Sequence, residues 1–324
     1  MLVVVCPGQG AQSPGMLAPW LEVAGVAPLL DRAAEVTGVD LVRHGTTSDA
    51  DTIRDTAVAQ PLLVASALAS LRAVLDGTDP SSAWTQVTAG RLGAVGGHSV
   101  GELAALAVSG VVSDEEALRL VAVRGAAMAR AAAAGPATGM SAVLGGDPDE
   151  VLAAIEAHGL VAANVNGAGQ VVAAGPLDRL AALAAEPPAK ARIIPLQVAG
   201  AFHTEVMAPA VGDLRAAAEQ VVPADPTTPL LSNADGALVA SGAEAVARVV
   251  AQVARPVRWD LCQQSMAELG VTGLLEVAPG GVLTGLARRT LPGVETVALK
   301  SPADLDAARD LVLRHAAPTA KEQQ

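Results

Sequence analysis

The chain has 324 residues, 51% of them apolar, and a formal net charge of −12, which argues against nucleic acid as the main partner because phosphate binding needs a basic surface. Two cysteines, Cys6 and Cys262, are too few for a disulfide framework or a zinc site, and the apolar start is too short for a signal peptide. No apolar run reaches the ~18 residues that span a membrane, so we expect a soluble, cytoplasmic protein.

The first third of the chain alternates strand and helix patterns. A continuous apolar strand over Leu2–Cys6 leads into a glycine-rich turn, and helix patterns follow over 16–36 and 61–75. The polar stretch 76–90 indicates a surface loop, and a second short apolar strand, 92–95, then precedes an Ala/Leu-rich helix over 102–108. Helices that alternate with continuously apolar strands predict a buried parallel sheet.

The second strand and its helix are joined by the sequence Gly97-His98-Ser99-Val100-Gly101. Gly-x-Ser-x-Gly between a strand and a helix is typical of a nucleophile elbow, a tight turn that exposes the serine hydroxyl at the strand's end. We expect both glycines to be required, because any Cβ there would clash where strand and helix pack together. The helix N-terminus would direct free N–H groups toward a developing oxyanion. A plain glycine-rich turn is the alternative interpretation.

The next predicted helix carries a charged residue on its apolar face. Ser113 and Glu116 have the spacing of a capping box that would start this helix, and Arg124 falls within its apolar stripe. A buried guanidinium is costly without an anionic partner. The residues alone leave two partners open, the carboxylate of a substrate and an internal acid such as Glu102.

From residue 140 to 196 the patterns come in the order β-α-β-β-α-β, which is typical of a ferredoxin-like unit. We therefore expect 135–197 to form a small ferredoxin-like subdomain inserted in a larger domain. The larger domain would comprise 1–134 and 198–317, with 318–324 as a frayed tail. The predicted fold class is α/β, with a parallel-sheet, α/β-hydrolase-like large domain.

An elbow serine needs a general base, and the chain has five histidines. His203 stands in a short turn where the chain returns to the large domain, so it is the candidate base, with a structural histidine at a domain junction as the alternative.

In the turn after the first strand, Gln9 lies between two glycines at the sheet edge where open α/β sheets bind ligands. The backbone N–H groups of Gln9 and Val100 could form an oxyanion hole there, unless this is only a tight turn.

Seven short motifs occur in a specific order along nearly the whole chain. They are Pro-Gly-Gln-Gly-Ala-Gln (7–12), Gln-Pro (60–61), Gly-His-Ser-Val-Gly-Glu (97–102), Arg-Gly (124–125), Gly-Ala-Phe-His (200–203), Pro-Val-Arg-Trp (256–259) and Pro-Gly-Gly-Val-Leu (279–283). On these motifs the chain resembles the malonyl-CoA:acyl carrier protein transacylases of fatty acid synthesis, within the acyl-carrier acyltransferase family.

The resemblance implies a role for each of the residues already singled out. Ser99 matches the nucleophile of the family, His203 matches its general base, and Gln9 and Val100 match its oxyanion hole. Arg124 matches the arginine that binds the free carboxylate of malonyl. Such a contact would select against acetyl, which has no carboxylate.

Further positions are assigned by the resemblance alone. Gln252 matches a residue whose backbone carbonyl orients the histidine, which would make the site a Ser-His dyad. Phe202 matches an aromatic position that accompanies malonyl preference, although a core aromatic is the alternative. Gln60 and Asn166 match positions that line the pocket. Gly281 departs from the family, where many members carry a polar or basic residue.

The implied activity is ping-pong transfer of malonyl from malonyl-CoA to the phosphopantetheine thiol of acyl carrier protein, through a serine ester and with no metal or other cofactor. It would supply fatty acid synthesis and could also serve polyketide synthesis. A serine thioesterase or hydrolase, a trans-acting acyltransferase of a polyketide synthase and a non-catalytic carrier-docking protein are the alternatives.

We expect a monomer that binds neither nucleic acid nor membrane. Carriers of this kind are acidic, as is this chain, so docking would need a local basic patch. The candidates are Arg179, Lys190, Arg192, Arg288 and Arg289, although ordinary surface charge is an equally good interpretation of them.

Overall fold

The computed structural model describes residues 1–75, 84, 88 and 91–316. The frayed tail predicted at 318–324 lies outside the described residues. So does the surface loop predicted at 76–90, apart from Trp84 and Thr88. These two residues are both buried, so the described part of that stretch does not lie on the surface.

The strands form two sheets. In chain order, their bounds are β1 Leu2–Cys6, β2 Ala94–Gly97, β3 Thr138–Gly145, β4 Val161–Gly167, β5 Gln170–Pro176, β6 Ala191–Pro195, β7 Leu230–Leu231, β8 Leu238–Val239, β9 Val257–Arg258, β10 Gly273–Glu276 and β11 Glu295–Ala298. The larger sheet has the order β11-β10-β1-β2-β7-β8, and it is parallel from β11 to β7. The predicted α/β class is therefore confirmed. The edge strand β8 pairs antiparallel, which the sequence did not indicate.

The smaller sheet has the order β6-β3-β5-β4-β9. Its first four strands in the chain, with the helices between them, follow one another as β-α-β-β-α-β, and they pair antiparallel. The fifth strand, β9, comes from much later in the chain and pairs parallel with β4, with Asn164 opposite Val257. A segment of the chain beyond the predicted unit therefore extends this sheet.

The α-helices have the bounds Val26–Thr37, Leu41–Thr46, Thr56–Val74, Gly101–Val108, Asp114–Ala134, Pro148–Ala157, Leu177–Ala185, Ala208–Ala218, Gly242–Gln252, Trp259–Glu268, Val282–Thr290 and Leu305–His315. Short 3-10 helices span Ala18–Glu22, Thr52–Arg54, Glu205–Met207 and Pro302–Asp304. The capping box predicted at residue 113 is present: the hydroxyl of Ser113 accepts from the N–H of Glu116, whose carboxylate accepts from the N–H of Ser113.

Two helix predictions were wrong in extent. The helix predicted over 16–36 is a 3-10 helix followed by an α-helix, with Gly25 between them in a left-handed conformation at φ 80°. The helix predicted to begin at Pro61 begins at Thr56, because the side chain of Asp55 accepts from the N–H of Ala57 and caps it. Pro61 lies inside this helix.

The helix Thr56–Val74 also corrects the expectation about apolar runs, since by length and composition it could cross a membrane. Nearly all of its residues are buried inside the protein, where it packs along the helix Asp114–Ala134. A helix that is apolar on every side is typical of the core of a large domain.

A cleft of about 220 Å³ separates the two sheets and receives side chains from both. One side carries the turn after β1, the turn after β2, and residues of later helices and loops, namely Gly8, Gln9, His98, Ser99, Val100, Arg124, Phe202 and His203. The other side is formed by the smaller sheet, through Met140, Ala142, Asn164, Asn166, Gln170 and Val172.

Candidate active site

Ser99 occupies the tight turn between β2 and the helix Gly101–Val108. Its backbone is left-handed, at φ 53°, a conformation that is uncommon for a residue with a Cβ. A Cβ on Gly97 would lie 2.0 Å from the carbonyl carbon of Gly101, and one on Gly101 would lie 2.2 Å from the carbonyl oxygen of Cys6. The glycines are therefore required by close packing, as predicted, and the turn has the geometry of a nucleophile elbow.

His203 contacts the serine directly. Its Nε2 lies 2.7 Å from the Oγ of Ser99, although the two residues are 104 positions apart in the chain. Its Nδ1 lies 2.9 Å from the backbone carbonyl oxygen of Gln252. A carbonyl can only accept, so Nδ1 carries the proton and Nε2 presents a lone pair to the serine hydroxyl. This is the arrangement in which an imidazole can remove the hydroxyl proton.

The surroundings of His203 keep its imidazole neutral. The side chain is buried, and that burial, together with the nearby positive charge of Arg124, lowers the pKa of His203 to about 3. The carbonyl of Gln252 opposes this effect only in part. His203 also has a left-handed backbone, at φ 62°, so both members of the pair adopt strained conformations of the kind that cluster at functional sites.

Arg124 is buried, at 1% exposure, and its guanidinium faces the serine. Nη1 donates to the Oε1 of Gln60 at 2.6 Å, and Nη2 lies 3.3 Å from the Oγ of Ser99 and 3.3 Å from the Oε1 of Gln252. Among the described residues no carboxylate forms an ion pair with it, and Nε has no hydrogen-bond partner. The internal pair with Glu102 is therefore absent. Burial lowers the pKa of Arg124 to about 10, which leaves the guanidinium charged at neutral pH.

Two backbone N–H groups beside the serine are available to an incoming oxyanion. Those of Gln9 and Val100 border the cleft, and neither donates a hydrogen bond within the described part of the chain. The N–H of Ser99 itself is occupied, because it donates to the Oδ1 of Asn233 at 2.8 Å. The amide side chain of Gln9 donates to the carbonyl of Arg54 and to the hydroxyl of Thr56, so the backbone N–H is the group of Gln9 that remains free to bind an oxyanion.

The remaining predicted residues also line the cleft. Phe202 is buried beside the histidine. Gln60, predicted only to line the pocket, holds the guanidinium of Arg124. The Oδ1 of Asn166 lies 2.8 Å from the Nε2 of His98, which explains how the histidine next to the nucleophile is held aside.

Two polar residues lie behind Ser99: Asn233, which sequence reasoning missed, and Glu102, which it considered only as a partner for Arg124. Asn233 accepts from the N–H of Ser99 and donates through Nδ2 to the carbonyl of Gly97 at 2.7 Å. Glu102 accepts from the N–H of Asn233 at 2.7 Å and from the amide of Gln252. A signal for Asn233 was available, since it is a polar residue just after a short apolar strand. No group of three or more His, Cys, Asp or Glu in the described ranges could hold a metal ion.

Comparison with known proteins identifies the family to which the chain belongs. The acyl transferase domain family matches residues 3–301. The malonyl CoA-acyl carrier protein transacylase of Mycobacterium tuberculosis is 50% identical over 311 residues, which cover 96% of this chain and 100% of that protein.

Solved structures give the same result. The crystal structure of MCAT from Mycobacterium tuberculosis matches with a TM-score of 0.87 at 50% identity, over 95% of this chain and 99% of that one. A type II polyketide synthase acyl-carrier protein in complex with its malonyl-transacylase provides another match, with a TM-score of 0.83 at 30% identity, over 95% and 99%. The chain belongs to the malonyl-CoA:acyl carrier protein transacylase family, whose members carry the acyl transferase domain.

Proposed function

We propose that this protein transfers malonyl from malonyl-CoA to the phosphopantetheine thiol of an acyl carrier protein. The observation that carries the proposal is a buried guanidinium, unpaired with any described acid, that lies 3.3 Å from a hydroxyl already in contact with a neutral imidazole. A hydrolase elbow needs the hydroxyl and the imidazole but has no use for a buried cation beside them. Malonyl carries the carboxylate that such a cation would bind.

In the first half-reaction the Nε2 of His203 accepts the proton of the Ser99 hydroxyl while Oγ attacks the thioester carbonyl carbon. The carbonyl oxygen becomes an oxyanion, and the backbone N–H groups of Gln9 and Val100 would donate to it. The C–S bond then breaks, and the proton on His203 passes to the departing sulfur of CoA. In the second half-reaction the carrier thiol gives its proton to His203 and attacks the ester, and Ser99 leaves with that proton restored.

We infer that Arg124 orients malonyl by binding its terminal carboxylate. Gln60 and Gln252 place acceptors against two guanidinium nitrogens and so fix its plane, with one edge toward the serine. Phe202 narrows the cleft beside the same carboxylate and favours malonyl over branched acyl groups. Asn166 acts indirectly, because it holds His98 away from the nucleophile.

The carrier is proposed to belong to fatty acid synthesis, as the family suggests. Type II polyketide carriers are the second candidate, supported by the structural match to a polyketide malonyl-transacylase bound to its carrier.

For docking we propose Arg288 and Arg289, which are exposed on the helix Val282–Thr290, since the first residues of this helix border the cleft. We also propose that the protein is a cytoplasmic monomer, which light scattering on the purified protein tests for the oligomeric state.

The mass of the intact protein after brief exposure to malonyl-CoA tests the nucleophile and the substrate together. We expect a malonyl adduct that is absent from Ser99→Ala and that disappears, with formation of malonyl-carrier, when a phosphopantetheinylated carrier is added. Release of free malonate at the rate of carrier loading would instead indicate a thioesterase. An unmodified wild-type protein would refute catalysis at this serine.

A further inference from the structure

One buried carboxyl stands next to the catalytic pair without taking part in the proposed reaction. Glu102 is 4% exposed and lies in the first turn of the helix that follows the elbow. It does not line the cleft, so it touches no substrate. Burying a carboxyl costs free energy, and buried carboxyls in proteins are therefore normally hydrogen-bonded.

Both oxygens of Glu102 are used, each by a residue that contacts the site. Oε1 accepts from the backbone N–H of Asn233 at 2.7 Å, and Oε2 contacts the amide Nε2 of Gln252. The Nε2 of Gln252 also lies 3.1 Å from the Oδ1 of Asn233, so the three residues form a closed triangle. The segments that meet there are 131 and 150 positions away from Glu102 in the chain.

From this triangle separate contacts reach each member of the site. The Oδ1 of Asn233 accepts from the backbone N–H of Ser99 at 2.8 Å. The backbone oxygen of Gln252 accepts from the Nδ1 of His203 at 2.9 Å, and its side-chain oxygen lies 3.3 Å from Arg124. Ser99, His203 and Arg124 are therefore each linked to the carboxyl of Glu102 through one intermediate residue, either Asn233 or Gln252.

We propose that Glu102 is a positioning residue that fixes Ser99, His203 and Arg124 relative to one another through Asn233 and Gln252. This inference rests on the proposed function. In a Ser-His-Asp triad an acid in direct contact with the histidine orients it. Here one carboxyl would orient the histidine without touching it. Glu102 acts at one remove, on the elbow and on the residue that orients the histidine.

The electrostatics of Glu102 agree with a geometric role. Burial raises the pKa of Glu102 to about 8, although the N–H of Asn233 and the charges of Arg124 and Arg248 oppose the rise, and Asp235 adds to it. At neutral pH such a carboxyl is largely uncharged. It therefore acts through the shape of its head group and the two hydrogen bonds that its oxygens accept, and an amide of the same shape would keep only one of these acceptors.

Glu102→Leu and Glu102→Gln separate this role from a purely structural one. We expect Glu102→Leu to lower the single-turnover rate constant of Ser99 malonylation by roughly 30-fold, with KM for malonyl-CoA changed less than about threefold, because small displacements of reacting groups reduce the rate without altering contacts to substrate. We expect Glu102→Gln, which keeps the shape and one of the two acceptors, to lose less than Glu102→Leu, with a rate roughly threefold to tenfold below the wild type.

Leu106→Ala is the matched control, since Leu106 is buried one turn later on the same helix and its aliphatic side chain can form no hydrogen bond to the triangle. It should lower the unfolding temperature while leaving the malonylation rate near that of the wild type. If Glu102→Leu does not fold, Glu102→Asp withdraws the carboxyl by one methylene and should still slow malonylation about tenfold.

Three results would overturn the inference: a wild-type rate in Glu102→Leu or, where that does not fold, in Glu102→Asp; equal losses in Glu102→Leu and Leu106→Ala; or an effect on KM alone. These differ from failure of the proposed function, in which the wild-type protein itself forms no malonyl adduct and the inference falls with it.

Discussion

The two sides of the cleft are built in different ways. The catalytic wall, formed by Ser99, Arg124 and His203, is a dense polar network in which every functional group has a hydrogen-bonded neighbour. The facing wall is formed by the smaller sheet, with three apolar side chains, Met140, Ala142 and Val172, and three uncharged polar ones, Asn164, Asn166 and Gln170. In the proposed reaction the catalytic wall contacts the substrate atoms on which charge develops. The facing wall limits the space around these atoms and the access of water to them.

This difference teaches where sensitivity to substitution should lie. Fixed dipoles and charges stabilise a transition state only when they are already oriented, so the catalytic wall should tolerate little change. An apolar surface needs only the right volume and low polarity, so the apolar part of the facing wall should tolerate conservative substitutions. Three measurements test the contrast: a substitution on the catalytic wall, the pH profile of that wall, and a substitution on the facing wall.

Arg124→Ala should reduce malonylation of Ser99 far more than acetylation. A charge-assisted hydrogen bond contributes about 1.5–3 kcal/mol, so the ratio of malonylation to acetylation should fall roughly 10- to 100-fold. Parallel single-turnover assays with malonyl-CoA and acetyl-CoA give this ratio. Arg130→Ala, an exposed position on the same helix, is the control and should leave it unchanged. Equal losses with both substrates would assign Arg124 a structural role.

The pH profile of kcat/KM tests the electrostatic setting of the catalytic wall. In the proposed mechanism the neutral form of His203 is the base, and the pKa of about 3 means that this form predominates at every pH well above 3. Acylation should therefore fall less than about twofold between pH 8 and pH 5, whereas an ordinary pKa of about 6.5 predicts a fall of roughly 30-fold. Acetyl-CoA serves as the control substrate, because it has no carboxylate to titrate. An acid limb near pH 6.5 would contradict this picture.

Of the two substitutions, Val172→Ala should produce the smaller effect. Val172 faces the cleft from β5, and its neighbour Val171 faces the core on the other side of the same sheet. We expect Val172→Ala to slow acylation less than about fivefold and to increase hydrolysis of the ester, since the cleft would admit more water. Val171→Ala should lower the unfolding temperature with no change in hydrolysis. A loss above 100-fold in Val172→Ala would show that the facing wall takes part in catalysis.

The fold was predictable where local pattern is sufficient. Continuous apolar strands, the capping box at Ser113 and the elbow sequence each act within a few residues, and each appears where expected. β8 and β9 were not predictable, because each has only two residues and exists through its pairing partner. The start of the helix at Thr56 was not predicted, because proline usually marks the first turn of a helix and Pro61 lies five residues later. The side chain of Asp55 caps the helix and sets its true start.

The site was predictable in proportion to how local its signals are. Ser99 lies in a motif, and Arg124 is conspicuous as a charge in an apolar stripe. His203 could not be distinguished from a structural histidine, since only the folded chain brings it to the serine. Asn233 gave only a weak local signal and Glu102 was considered only as a partner for Arg124, because the contacts of both join segments more than 100 positions apart.

The pairing of β9 with β4 has a consequence for how substrates enter. The smaller sheet is connected to the rest of the protein at the ends of its own segment and also along its far edge, where Gln263 adds a hydrogen bond to the carbonyl of Asn166 at 2.8 Å. Three separate attachments resist a hinge motion. We therefore expect the width of the cleft entrance to change little when an acyl arm binds.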